Sequence, residues 1–150
     1  MSILKEVFIH TASKDAFPYI TMFGMEEFAT MTGIIDNKMV KKDAVNRNFI
    51  AANVSKSEDQ EQKGAQLCRY EFIEFLVRMA VFKYKDTLKQ TKTAQHSFQM
   101  LMKEHILPFY SSQCQDWSAF RDKFLKFNII DHVMHCNKKG LEAIFVKSAS

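Results

Sequence analysis

Glycine and proline are scarce in this chain, at 4 and 2 of its 150 residues. So few glycines exclude a Gly-rich phosphate loop, and with it a nucleotide cradle. Turn residues are correspondingly few, while Phe (14) and Met (9) are abundant, a balance that favours helices over sheet. Cysteine is limited to Cys68, Cys114 and Cys136. That odd number without framework spacing excludes a disulfide scaffold and points to a reducing compartment. Each thiol is read as a small apolar filler. A long hydrophobic run is also missing. The most apolar stretch, Phe72 to Phe82, is broken by Glu74 and Arg78 and is too short to cross a bilayer. The first twenty residues carry Lys5, Lys14 and Asp15 with no continuous apolar core, so no secretory signal is expected.

Charge of one sign is not concentrated either. The net charge of +4 comes from 21 basic and 17 acidic residues. Lys38, Lys41, Lys42, Lys138 and Lys139 are spread out, with no basic stripe and no nucleic-acid reading motif. An acidic protein surface is permitted as a partner; nucleic acid is not expected. What remains is 47% apolar residues in a chain long enough to bury a core without staples.

The spacing of that apolar content predicts an all-α fold. Leu4, Val7 and Phe8 recur at helical spacing until the polar run Ser13, Lys14, Asp15 and Phe17-Pro18. A second helix is capped by Thr21, carries Phe23, Phe28 and Met31, and closes at Gly33. A third spans Lys42 to Ala52 with Val45, Phe49 and Ile50 on one side. Ser55 to Gly64, SKSEDQEQKG, has nothing to anchor to a core and reads as an exposed loop. The helix from Arg69 to Lys85 is apolar nearly all round and is the expected centre of the domain. Asp86 to Gln95 reads as a loop or a solvated helical continuation. Phe98, Leu101, Met102, His105 and Ile106 then form a stripe ending at Pro108. Further short helices are expected around Trp117, Phe120 and Phe124 and through Ile130, Val133 and Met134. A turn is expected at Asn137 to Gly140, with the last helix beginning at Leu141.

Two internal repeats organise these elements. Ile20 to Phe28, ITMFGMEEF, aligns without gaps on Leu67 to Phe75, LCRYEFIEF, and each copy follows a helix and a polar connection. Two helix-loop-helix units in tandem follow, each needing the other to bury its face. Leu4 to Ser13, LKEVFIHTAS, likewise matches Leu141 to Ser150, LEAIFVKSAS. Either two amphipathic helices coincide, or residues 141–150 are the first helix of a further unit in a longer modular protein.

The segments Tyr70 to Met79, YEFIEFLVRM, and Phe23 to Met31, FGMEEFATM, resemble the start of the exiting helix in the EF-hand family, where a loop apolar residue precedes an aromatic, an acid and Phe. The resemblance covers roughly residues 1–86 and rests on packing positions. It implies an EF-hand-like paired lobe over 1–86, with additional C-terminal helices over 87–150 packing on it. The calcium chemistry of the family does not carry over. An EF-hand loop needs carboxylates at its early positions, Gly at the sixth and a bidentate Glu at the twelfth. Ending at Glu27, the first loop offers Ala16, Pro18 and Ile20; in the earlier register it offers Ser13, Asp15 and Phe17, with Gly24 last. The second loop offers Lys63, Ala65 and Leu67 before Glu74, or Gln60, Gln62 and Gly64 before Glu71. Glu58, Asp59 and Glu61 leave a weak irregular site as the alternative.

Other chemistry is weighed against blander explanations. His132 and His135 with Cys136 have helical metal-site spacing but lack a fourth ligand, so no metal is expected and solvated histidines explain them. No nucleophile stands beside a base and an orienting acid, so no enzyme is expected. Met22, Met25, Met31, Met79 and Phe82 would line a partner groove if the two units open; core filling is the ordinary explanation of each. Trp117 and Phe120 form a second candidate surface. The sequence thus predicts a non-catalytic, calcium-independent protein-binding or structural module without a cofactor. Its expected setting is a larger cytoplasmic protein. Family analogy extends that to the cytoskeleton or cilium, with an acidic surface such as tubulin or an amphipathic helix as partner. The alternatives are a calcium sensor with an irregular loop and a nucleic-acid-binding helical domain.

Overall fold

The computed structural model describes residues 2–53, 65–114 and 128–149. The chain falls into two units, residues 1–114 and 115–150. In the first, α1 (Ser2–Ser13), β1 (Ile20–Thr21) and α2 (Met22–Met31) are followed by α3 (Lys42–Ala52), β2 (Gln66–Leu67) and α4 (Arg69–Ala80). A π-helical stretch, Val81–Thr87, extends α4. Then α5 (Ala94–Leu101), a second π stretch (Met102–Ile106) and α6 (Leu107–Gln113) run on as one helical rod. Helix dominates, as the sequence predicts, and the one sheet among the described residues is the two-residue antiparallel ladder of β1 and β2.

That ladder organises the first unit. It pairs Ile20 with Leu67 and Thr21 with Gln66, so the helix-loop-helix α1–α2 is joined through its connection to α3–α4. The register sets Ile20 opposite Leu67, the first positions of the two repeat copies. Burial repeats as well. Ile20 and Leu67 are buried, as are Met25 and Phe72, and Phe28 and Phe75; Phe23 and Tyr70 are exposed in both copies. Repeated sequence has become repeated environment, because a helix of given phase buries the same positions each time.

The local signals explain the helix ends. The Thr21 side chain accepts the Gly24 N–H and caps α2. Gly33, at φ +69, closes it in the left-handed conformation, with Ile35 N–H bonding back to Ala29. Glu71 reaches back to the Cys68 N–H at 2.7 Å and stabilises the start of α4.

The core is built around aromatic contacts. Phe72 of α4 meets Phe8 of α1 at 5.6 Å between ring centroids and Phe28 of α2 at 5.5 Å. Phe28 also meets Phe109 of α6 at 5.3 Å, and Phe109 meets His10 of α1 at 5.7 Å. These rings run from α1 through α4, α2 and α6 and back to α1. Residues 94–113 therefore pack with the paired units in a single core.

Three expectations need correction. Ile50 is exposed while Val45 and Phe49 are fully buried, because the apolar face of α3 is too narrow to include it. Pro108 does not stop its helix, which continues to Gln113. Proline sits in the first turn of α6, and the widened π turn just before it relieves the clash of its ring with the carbonyl four residues back. Between Asp86 and Gln95 the chain is an exposed loop following the π stretch, one of the two expected forms, with Thr91 buried and its hydroxyl 2.6 Å from that of Ser97. In the second unit, α7 (Asn128–Cys136) passes almost directly into α8 (Lys138–Ala149). Asn137 N–H bonds to Val133 O and Leu141 N–H to Asn137 O, so helical bonding runs through the expected turn and Gly140 lies inside α8. The Ser55–Gly64 loop and the helix expected around Trp117, Phe120 and Phe124 lie outside the described residues.

Phe72→Ala is expected to cost about 3–5 kcal/mol in urea unfolding followed by circular dichroism. Phe23→Ala, at a position 74% exposed, is expected to stay within about 0.5 kcal/mol of the wild type.

Candidate functional site

The connection between α1 and α2 closes on itself. The Asp15 carboxylate accepts the Thr21 N–H at 2.5 Å and the Thr21 hydroxyl at 3.0 Å. The pairing of Ile20 with Leu67 makes Gly24 the counterpart of Glu71, and these are the twelfth residues of the earlier of the two calcium-loop registers. Gly24 has no side chain, and a Cβ there would run into Asp15 Oδ2. One acid thus fills the space that a side chain at 24 would need. At the other copy Glu71 is buried at 2% exposure, with a carboxylate oxygen on the Cys68 N–H. Both carboxylates are engaged by backbone donors of their own loops. Glu58, Asp59 and Glu61 lie outside the described residues.

A second polar constellation joins the α2–α3 connection to the two π stretches. Lys83 is 6% exposed; its ammonium donates to Ile34 O at 3.2 Å and lies 3.9 Å from Asp36 Oδ2. Burial pushes the Lys83 pKa down, against the pull of Asp36 and Glu104. Asp36 Oδ1 accepts the N–H groups of Lys38, Met39 and Val40 at 3.0, 2.7 and 2.8 Å. Desolvation works against its charge, yet those backbone donors and Lys83 together hold its pKa below the ordinary value. Tyr84 donates to Glu104, and burial with that carboxylate pushes the phenol pKa up. His105 Nδ1 lies 2.8 Å from Thr32 O. A carbonyl only accepts, so the proton is on Nδ1, and among the described residues the enclosed Nε2 has no hydrogen-bond partner. Desolvation lowers the His105 pKa first of all, with Lys83 adding to it; the Thr32 carbonyl, Glu104 and Asp36 oppose the shift.

No motif announces this network along the chain. Its signal was phase: Phe72, Leu76, Met79 and Lys83 lie on one helical stripe, as do Phe98, Leu101 and His105, so a cation and an imidazole occupy core-facing positions.

The groove candidates are dispersed. Met25 and Met79 are fully buried, Met22 and Phe82 are partly buried against the core, and Met31 is 46% exposed. Trp117 and Phe120 lie outside the described residues. Met31 borders a small cavity of about 20 Å³, room for one water, whose lining includes His10, Asp15, Gly24, Phe28 and Phe109. Burial, then Lys14, lowers the His10 pKa there. Burial and Glu6 push the Cys114 thiol up to about 11, away from nucleophilic use.

His132 Nε2 lies 3.6 Å from Cys136 Sγ on the α7 surface, and among the described residues no group of three His, Cys, Asp or Glu is placed to hold a metal ion. Of the lysines, Lys42 pairs with Glu26 at 3.2 Å and Lys138 with Glu142 at 3.7 Å. Among the described residues no helix is long and apolar enough to cross a membrane.

Gly24→Ala is expected to lose about 1 kcal/mol, since helix propensity returns up to about 1 kcal/mol but displacing Asp15 removes charge-assisted bonds worth about 1.5–3 kcal/mol. Urea unfolding of Asp15→Ala in the Gly24→Ala background checks this, with no further loss expected. For His105 the folded pKa lies below the ordinary 6.5. Its contribution is therefore complete above that pH and is lost as the pH falls through the depressed folded value. The thermal midpoint of the wild type should drop between about pH 7.5 and 5, and less so in His105→Asn, which keeps a donor for Thr32. Compared with protein-family models, curated proteins and solved structures, the chain matches none.

Proposed function

We propose that this chain is a non-catalytic protein-interaction module built on an EF-hand-like pair that works without calcium. The observation that carries the reading is the self-closed loop. Asp15 is bonded to Thr21 and occupies the space beside Gly24, where a calcium loop would place its bidentate glutamate. The antiparallel pairing of Ile20 with Leu67, between two helix-loop-helix units, supports the EF-hand-like part.

The calcium-independent part also draws on the network around Lys83. Calcium sensors respond by changing the angle between their helices. Here the chain after α2 is tied by Thr32, Ile34 and Asp36 to His105 and Lys83. Phe28 is held at the same time by Phe72 and Phe109. Opening such a pair would strip these contacts with no ion to repay the cost. The module instead presents a constant surface to a protein partner, and its excess of positive charge suits an acidic one.

Calorimetric titration of the full chain with calcium at low salt, with circular dichroism in parallel, tests the proposal. No heat and no change in helicity are expected. Binding at micromolar strength with a structural response would make the chain a sensor and overturn it.

A further inference from the structure

We propose that the connection from α2 to α3, residues 32–40, is a proton-sensitive latch, closed on the two π stretches while His105 is neutral and released from them when His105 gains a second proton. Such a latch adds a regulatory input that the interaction-module reading does not contain.

Two side chains tie this connection to the rest of the unit. His105, on the second π stretch, donates to Thr32 O at 2.8 Å. Lys83, on the first, donates to Ile34 O at 3.2 Å and faces Asp36 Oδ2 at 3.9 Å. Asp36 in turn gathers the Lys38, Met39 and Val40 N–H groups on Oδ1, so the turn is shaped by the same residue that Lys83 anchors. Gly33, at φ +69, leads into it 3.8 Å from the His105 ring. Both anchors stand on π turns, local departures from regular helix that recur at functional sites.

A neutral imidazole suits this place and a charged one does not. With its proton on Nδ1 for the Thr32 carbonyl, His105 keeps a bare Nε2, which is enclosed and among the described residues meets no partner. A second proton turns that nitrogen into a buried donor with nothing to bond, at a desolvation cost. The charges facing the ring are Lys83 from the first π stretch, Asp36 from the connection and Glu104 beside it on its own stretch. Lys83 repels a second cation. The two carboxylates attract one, but Asp36 is engaged by three backbone N–H groups and Lys83, and Glu104 accepts the Tyr84 hydroxyl. Burial outweighs their pull and lowers the folded pKa below the ordinary 6.5. In the released state the ring is in water and titrates near about 6.5. Closure is therefore favoured above that pH and is lost as the pH falls towards the depressed folded value.

Amide hydrogen exchange of the full chain at pH 7.5 and 5.5, read by mass spectrometry and corrected for the intrinsic pH dependence of exchange, tests the latch. Peptides covering 32–40 are expected to open up to about tenfold more often at the lower pH, while those covering α1 and α4 stay unchanged. His105→Asn keeps a donor for Thr32 but has no second proton to gain, so its change should fall below about twofold. Circular dichroism checks that the variant is folded. In the wild type alone, the rise in exchange must follow the titration of the His105 ring protons seen by NMR. Absence of a rise over 32–40 overturns the proposal, as does an equal rise in His105→Asn. An equal rise in α1 and α4 overturns it too, since the event would then be global unfolding. So does a rise that follows His10, whose pKa burial also lowers and whose ring gives its own signals. A calcium response would overturn the interaction-module reading without altering any of these outcomes.

Discussion

Phe72 is the contact on which the first unit depends. Its ring touches Phe8 and Phe28, so one side chain of α4 holds the entering helix of one helix-loop-helix and the exiting helix of the same unit. Through Phe28 the contact extends to Phe109, and through His10 it returns to α1. Tilted and edge-on rings at these distances add directional preference to apolar burial, which by itself is non-directional. The two-residue ladder of Ile20 and Leu67 then has a definite register to adopt, because the helices on either side are already positioned.

The described loop acids are engaged within the chain, Asp15 by Thr21 and Glu71 by Cys68. The larger electrostatic commitment lies elsewhere, where Lys83 enters the interior and meets Ile34 O and Asp36. A buried ammonium is tolerated only with such partners, and removing one of them would leave a charge uncompensated. The network therefore contributes specificity of arrangement: it lets the π stretches pack on the α2–α3 connection in one way.

Much of the fold was legible. Thr21 and Gly33 carried their own boundary signals, the span Lys42 to Ala52 followed from its apolar spacing, and the repeat aligned Ile20 with Leu67, although the two-residue ladder that pairs them was not expected. The misses share a cause. Pro108 and the Asn137–Gly140 segment were read by local preference, which a π turn and continuous hydrogen bonding override. Ile50 was read by hydrophobicity alone, although an apolar residue just off a narrow face stays in solvent. The methionines gave composition without location, and only packing separated buried Met25 and Met79 from Met31 at the surface.

The sequence by itself determined the helices, their caps and the duplication, because these follow from short-range periodicity and backbone chemistry. Tertiary structure decided the rest: that Asp15 takes up the space beside Gly24, that Lys83 meets Asp36, and that Val7 and Phe8 are buried whereas Ile144 and Phe145 are exposed. Two segments with the same apolar pattern are indistinguishable along the chain. They differ in what packs on them, and that depends on contacts between residues far apart in sequence.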